Sequence, residues 1–570
     1  MLVERGRGFA KLAVLAIGAG LPAVLAFEAA EVAADSAAPL YASGTVVEID
    51  LDLSQESIEA LEAEPEEYVP GEVTVAFTDG TPGGATAELH PLKDVGVRLK
   101  GNVEGSFRPI GDKAAFKLKF NEFVKGQKLL GLKKMTLNNM VQDPTMLHEA
   151  LAYEAFRAAD VPAPRTGYAF VRVNGVGYGV YANVETYDDV SLIRRFGDFD
   201  DETQHLYEGE YGDEITPGGA SAFEVDEGDD EDLADLEALI AAVNAPSPAF
   251  HTRVEGFADL TEMRRMWAVE KYVVMWDGYA GANLPKLPNN FYLYSGPTGE
   301  FQMFPWGTDQ ALEGGSVDFA GDAGLMFDEC VADAACLSAY VDDLRSIGGA
   351  IAGLELESLA DCLVNRLAPW RAMEGPPFRE YEPAQVQHGL EKTYEVLKER
   401  PEELIEWLES HTSQTEELTP AGSPASCAIP EPPEVEPEPE PEPKASLEPP
   451  VVRAGSVPQG SEPQARMGLL DLRLGSPGAL IAVLQTDRAG EVRLAGTILT
   501  RHGRRRVCDG LHRAKGPERL VLRCRLYAAD RVRLHERRLK VRLAIGFEPA
   551  DGSLGVTIAR SHVVPRIRRG

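Results

Sequence analysis

A chain of 570 residues is too long for one ordinary domain, and its 44% apolar content allows a sizeable core. The formal net charge is −35 and unevenly spread: residues 451–570 hold 24 Lys+Arg against 10 Asp+Glu, a balance of +14, which leaves −49 on the remainder. A body that acidic is not expected to bind nucleic acid non-specifically.

In chain order, Arg5, Arg7 and Lys11 precede an uncharged apolar stretch from Leu12 to Phe27, followed by the small residues Ala29, Ala30, Ala33 and Ala34. This pattern predicts a cleaved export signal over 1–34, with an uncleaved anchor helix as the alternative. The run is short for a membrane span, and Gly18, Gly20 and Pro22 interrupt it. Export makes the six cysteines disulfide candidates. Cys330 with Cys336 and Cys508 with Cys524 are each close in sequence, which leaves Cys362 and Cys427 as a third pair. A zinc site is the other reading, but no CxxC and no paired His supports it.

TVVEIDLDL from Thr45, EVTVAF from Glu72, VGVRLKG from Val95 and AAFKLKF from Ala114 alternate as strands do, and KMTLNNM from Lys134 is another strand. Asp143-Pro144 is expected to open a helix that runs to about Ala159. Residues 168–185 read as a hairpin with an Asn174-Gly175 turn, and the chain becomes largely helical after Asp259. The layout is α+β. Residues 412–450 read as a Pro/Glu linker, and 451–570 as a basic all-β, sandwich-like domain of six to seven strands. Arg504 to Arg506 and Arg537-Arg538 suggest attachment to an anionic cell-surface polymer or to the protein's own acidic body. The scarcity of aromatics there argues against base stacking. The acidic run from Asp226 to Glu237 fails the EF-hand spacing and reads as a solvated loop leading into a helix.

The most informative segment runs from Trp276 to Asp309. A helix ends in Trp276-Asp277-Gly278, Asn289-Asn290 opens a strand, and Asp309 follows the next strand. Phosphoryl transfer uses that order of parts: a carboxylate for the acceptor hydroxyl, then an amide and a second carboxylate for a divalent metal. On the strand from Ala114, Lys117 and Lys119 alternate with Phe116, Leu118 and Phe120, so one face is apolar and the other cationic. On the helix from Thr145, Glu154 falls on the face of Leu147, Leu151 and Ala158, and Glu149 points away from it.

Five blocks carry a resemblance: VRLKGNVEGSFRPIGDKAAFKLKF, GLKKMTLNNMVQDPTMLHEALAYEAFRAADVPAPR, VNGVGYGVYANVE, LYEGEYGDEITPGGASAFEV and WDGYAGANLPKLPNNFYLYSGPTGEFQMFPWGTDQ, in order from Val97 to Gln310. They resemble the spore coat protein H (CotH) kinase family, secreted or surface-associated atypical protein kinases. The resemblance implies a two-lobed, kinase-like domain over 40–411 that takes ATP with Mg2+ or Mn2+. The implied reaction is phosphorylation of Ser/Thr in secreted, envelope or coat proteins. The resemblance implies Asp277 as catalytic acid/base, Asn290 and Asp309 as metal ligands with Gln310 assisting, and Lys119 as the phosphate-binding lysine, Lys117 second. Glu154 is the implied partner of that lysine, its alternative being a rim position paired with a nearby Arg. Glu185, at the inter-lobe connection, would accept from an adenine amine or cap the junction. The chain departs from ordinary kinases in lacking GxGxxG at GNVEGSF and in placing Asn290 thirteen residues after Asp277. The rival reading is a catalytically inactive surface adhesin or scaffold on the same fold. The acid–amide–acid set favours the enzyme.

Overall fold

The computed structural model describes residues 35–432 apart from His90, 102–104, Glu210, 230–231, 282–286, Ser316, Asp322 and 413–414, and, between 467 and 564, chiefly the strands given below. The expected export segment, 1–34, lies outside the described residues.

The first half alternates apolar and polar residues in short runs, and these become β1 (Val46–Leu53), β2 (Val69–Thr78), β3 (Ala85–Glu88), β4 (Leu92–Lys100), β5 (Ala115–Lys119), β6 (Lys134–Asn138), β7 (Thr166–Val173) and β8 (Val176–Val184). Their order is β1-β7-β8-β6-β5-β4-β2-β3, and β1 also pairs with β2. Seven strands therefore close into a barrel with β3 appended outside, which leaves no open edge within the ring. The inside is filled by Ile49, Leu51, Val73, Val75, Val97, Leu99, Phe116, Leu118, Leu137 and Val171. The same alternation turns Arg98 and Lys100 of β4, and Lys117 and Lys119 of β5, outward on one shared face, because Arg98 pairs with Lys117 and Lys100 with Ala115.

Beyond the barrel, β9 (His205–Gly209), β10 (Glu224–Glu227), β11 (Phe291–Ser295) and β12 (Phe301–Pro305) form an antiparallel sheet in the order β10-β9-β11-β12. The helices are α1 (Gln55–Ala63), α2 (His148–Ala158), α3 (Asp189–Phe196), α4 (Ala234–Val243), α5 (Phe250–Arg253), α6 (Leu260–Tyr272), α7 (Leu325–Ala332), α8 (Ala334–Gly353), α9 (Leu356–Arg371) and α10 (Pro383–Thr412). Most of them share one core with the outer face of β7 and β8, where Tyr168, Phe170 and Val180 meet Leu151, Phe156, Trp267, Leu363 and Trp370. Among the described residues, no helix is long and apolar enough to cross a membrane.

Helix α2 begins later than its sequence signal. Asp143 does cap backbone, accepting from Thr145 N (2.7 Å) and His148 N (2.8 Å), but Met146 takes φ +65° and delays the first helical residue to His148.

The linker boundary at 412 is corrected. Residues 415–432 form a strap that lies back on the body. Arg345 grips Glu416 through Nε (2.8 Å) and Nη2 (2.9 Å). Ala421 N donates to Gly349 O (3.0 Å) and Ala425 N to Leu354 O (2.9 Å). The strap is fixed by a Cys362–Cys427 disulfide. A Cβ on Gly349 would stand 2.6 Å from Thr419 O, so the Gly-rich face of α8 admits the strap backbone. The sequence concealed this because the strap holds to the body largely through main chain, one acid and one Cys, and carries no periodic apolar pattern. A Cys330–Cys336 disulfide joins α7 to α8.

The C-terminal region is all-β: β13 (Met467–Leu474), β14 (Ala479–Thr486), β15 (Gly490–Thr500), β16 (Gly503–Ala514), β17 (Glu518–Arg525), β18 (Leu539–Pro549) and β19 (Val556–Val564). They form two antiparallel sheets, β13-β14-β17 and β16-β15-β18-β19. The side chains of Cys508 and Cys524, expected to pair, lie outside the described residues.

Candidate active site

The site is built where α6 ends. Asp259 caps this helix, accepting from Thr261 N and Glu262 N (both 3.1 Å). After Tyr272 the chain turns sharply. Val274 takes φ +55°, a costly conformation for a β-branched residue. The turn presents Asp277.

Strands β11 and β12 bring the next two groups. Phe291 pairs with Pro305, and Trp306 N donates to Asn290 O (2.9 Å), which sets the residue before β11 beside the residues after β12. Asn290 (φ +53°) and Gly307 (φ +54°) are both left-handed. Asn290 Nδ2 donates to Asp277 O (2.9 Å) and Oδ2 (3.1 Å), Asn289 Nδ2 to Asp277 Oδ2 (3.1 Å), and Gln310 Nε2 to the same oxygen (3.3 Å). Three amides thus surround one carboxylate.

Asp309 lies one turn further, on a short 3-10 segment, and is buried. His148, at the start of α2, holds its backbone: His148 Nδ1 lies 2.9 Å from Asp309 O, and Nε2 2.9 Å from Thr393 Oγ1 of α10. Burial pushes the Asp309 carboxyl up, Lys100 opposes, and Asp143 and Asp277 add repulsion. Glu149 of α2 is buried, accepts from Asn138 Nδ2 (2.7 Å), and is also pushed up, first by burial and then by Asp309. Lys100, partly buried with its ammonium 5.9 Å from the Trp306 ring centre, is pulled down by burial, and Glu149 and Asp309 counteract that. The charges of Glu149 and Asp309 thus both act on Lys100.

The donor set fits a hard divalent cation. Asp277 and Asp309 repel each other, and the amide oxygens of Asn290 and Gln310 are at hand. Magnesium is typically held by one or two carboxylates together with substrate phosphates. Among the described residues no group of three or more His, Cys, Asp or Glu is placed to hold a metal.

Residues 97–343 match the family model described as CotH kinase protein. The chain carries a CotH domain. Over 188 residues it is 27% identical to the inner spore coat protein H of Bacillus subtilis (strain 168), covering 31% of this chain and 50% of that protein. Over 80 residues it is 31% identical to the inner spore coat protein H-like protein of the same organism, covering 14% of this chain and 24% of the relative. The chain thus spans about half or less of the curated relatives it matches.

Within the CotH domain the structure brings Asp277, Asn290, Asp309 and Gln310 together, and places Lys119, Glu154 and Glu185 away from them. The expected Lys119–Glu154 pair is corrected. Lys119 lies 2.6 Å from Glu122 and over the Tyr68 ring, at the outer end of β5. Glu154 is bound by Arg157 (2.7 Å) and Ser43 Oγ (2.7 Å), the rim alternative. Lys117 lies nearer the acids: its charge acts on Lys100 and on Glu208 of β9.

Glu185 is corrected in the same way. It is buried under Arg165 (2.9 Å), Arg194 (2.8 Å) and Arg195 (2.8 Å) and has no place for an adenine amine. Burial alone would push its carboxyl up; Arg195, Arg165 and Arg194 override that and hold it at about 2. It caps the junction between the barrel and α3.

Sequence reasoning missed Lys100 and Glu149. The VGVRLKG alternation did put Lys100 on a polar face, but only the β4–β5 register aims that face at the site. Glu149 was expected to point away because α2 was treated as covered on one side. The helix is enclosed on nearly all sides, with Glu149 and Tyr153 buried along with Leu151.

Proposed function

We propose that this protein is an exported protein kinase that transfers the γ-phosphoryl group of ATP to Ser or Thr hydroxyls of secreted, envelope or coat proteins. The observation that carries the reading is the convergence of Asp277, Asn290, Gln310 and Asp309, with Lys100 within reach of their charge. The barrel and the helical body act as the two lobes, with Lys100 and Lys117 on the barrel face. Lys100 neutralises the phosphates, and Lys117 extends that positive face. Asp277 orients the acceptor hydroxyl and takes its proton, held in place by the three amides. Asp309 and Asn290 would hold Mg2+ or Mn2+, which supplies charge neutralisation on the phosphates when bound. The relatives' spore-coat names and the two disulfides support a location outside the cytoplasm. The basic C-terminal domain attaches the enzyme to an anionic surface polymer.

The test is purified protein with labelled ATP, Mg2+ or Mn2+ and a mixture of envelope proteins, with Asp277→Ala beside it. Transfer that is lost in Asp277→Ala supports the reading. A wild-type protein that binds ATP but transfers nothing would favour the scaffold.

A further inference from the structure

We propose that Glu270 is the positioning residue for Asp277: its carboxylate, buried in α6, grips the turn on which the acid is carried. The inference rests on the kinase reading above and names the device that aims its acid.

Glu270 has no exposed surface. Its two oxygens face two successive backbone donors: Tyr279 N on Oε1 (3.0 Å) and Ala280 N on Oε2 (2.6 Å). Its own carbonyl accepts from Met275 N (2.9 Å). One residue thus holds the turn on both sides of Asp277, while the acid itself projects to Asn289, Asn290 and Gln310. Gly278 lies against the carboxylate, and a Cβ there would collide with Glu270 Oε1. The Tyr279 ring is fastened further out, its hydroxyl donating to Glu214 Oε1 (3.1 Å) and accepting from Met326 N (3.0 Å).

Burial pushes the Glu270 carboxyl up to about 8, against the Ala280 and Tyr279 N–H donors and Lys271, and an apolar residue would pack this helix position without that desolvation cost. What a carboxyl group offers is two oxygens matched to two donors that the turn leaves unpaired. The turn begins at left-handed Val274, a conformation that persists only when its surroundings fix it. Glutamine has nearly the same shape but only one acceptor, so it sets an NH2 group against one of the two N–H donors.

The experiment compares ATP turnover, with separate kcat and KM, for wild type, Glu270→Gln and Asp277→Asn. Glu270→Gln is expected to lower kcat at least tenfold with KM for ATP within about twofold, since nucleotide contacts lie elsewhere. Turnover in Glu270→Gln within twofold of wild type, alongside abolition in Asp277→Asn, overturns the inference and leaves the kinase reading standing. Turnover that is absent in wild type, or unchanged in Asp277→Asn, defeats the kinase reading itself and the inference with it. Hydrogen exchange on the wild-type protein keeps the test decisive should Glu270→Gln not fold. The Tyr279 and Ala280 amides are expected to exchange as slowly as the core of α6, and exchange at the rate of free loop amides overturns the proposal.

Discussion

Gly307 and Asn290 are fitted to one another: a Cβ on Gly307 would stand 2.5 Å from Asn290 Oδ1, and both residues are left-handed. The glycine between Trp306 and Asp309 is what lets β12 turn towards Asp277 without displacing the amide that holds it. Gly307→Ala is expected to cost about 1 kcal/mol or more in backbone strain alone. It should also remove most phosphoryl transfer by moving Asn290. Turnover within twofold of wild type would show that the close approach is dispensable.

Lys100 and Lys119 make opposite predictions. Lys100→Met removes the cation on which the charges of Glu149 and Asp309 act and is expected to reduce transfer by about a hundredfold or more, as loss of a preorganised charge does. Lys119→Met breaks a partly exposed pair with Glu122 and should leave transfer within about threefold of wild type. The reverse ranking, measured with saturating ATP, would restore Lys119 to the site.

Asp309→Ala should abolish metal-dependent nucleotide binding without unfolding the protein. Asp143 and Asp277 repel this carboxylate, and it in turn repels Glu149, so its removal relieves buried like charge. The expected Tm without metal is unchanged or higher. ATP binding that is equally tight with Mg2+ present would refute the assignment.

Glu185 gives an acid-dependence with a definite sign. Its folded carboxyl is held at about 2, below the ordinary 4.5, so its stabilisation is full above pH 4.5 and is lost as pH falls towards 2. The size is on the order of 3 kcal/mol. Glu185→Gln should therefore be less stable than wild type at pH 7, and the difference in urea midpoint should shrink between pH 4.5 and 2. A difference independent of pH would mean that the three arginines do not act through charge.

The strap predicts where the chain can be cut. Truncation after residue 432 should leave the CotH domain folded and active, whereas truncation after Thr412 removes Glu416, the contacts on α8 and Cys427. The Cys362–Cys427 bond closes a separation of 65 residues, worth about 4 kcal/mol on the chain-entropy account. Cys427→Ser should lower the Tm by several degrees under oxidising conditions, and in reductant, which opens Cys330–Cys336 in both proteins, wild type and Cys427→Ser should melt together. Equal stability of the two truncations would show that the strap contributes nothing.

The order of Asp277, Asn290 and Asp309 was legible because one stretch of chain carries all three, and strands β11 and β12 are joined by a short turn that brings its ends together. The α+β layout was legible for the same reason: alternation and turn residues are local signals. Of the pairings across the chain, the Cys362–Cys427 bond was legible by elimination among few cysteines, whereas the charge pairing was not. Glu154 was matched to Lys119 by helix face and strand face, yet each found a partner three residues away, Arg157 and Glu122.

The sequence by itself thus determined which chemistry the chain can hold: an acid–amide–acid set within 34 residues, an acidic body and a basic tail. Only the tertiary structure decided that Lys100 and Glu149 complete the site, that Glu270 holds its turn, and that residues 415–432 belong to the body. Each of these depends on strand register, on barrel closure or on a helix enclosed from several sides. Burial of charge is decided by what packs from elsewhere in the chain, and no local pattern carries that information.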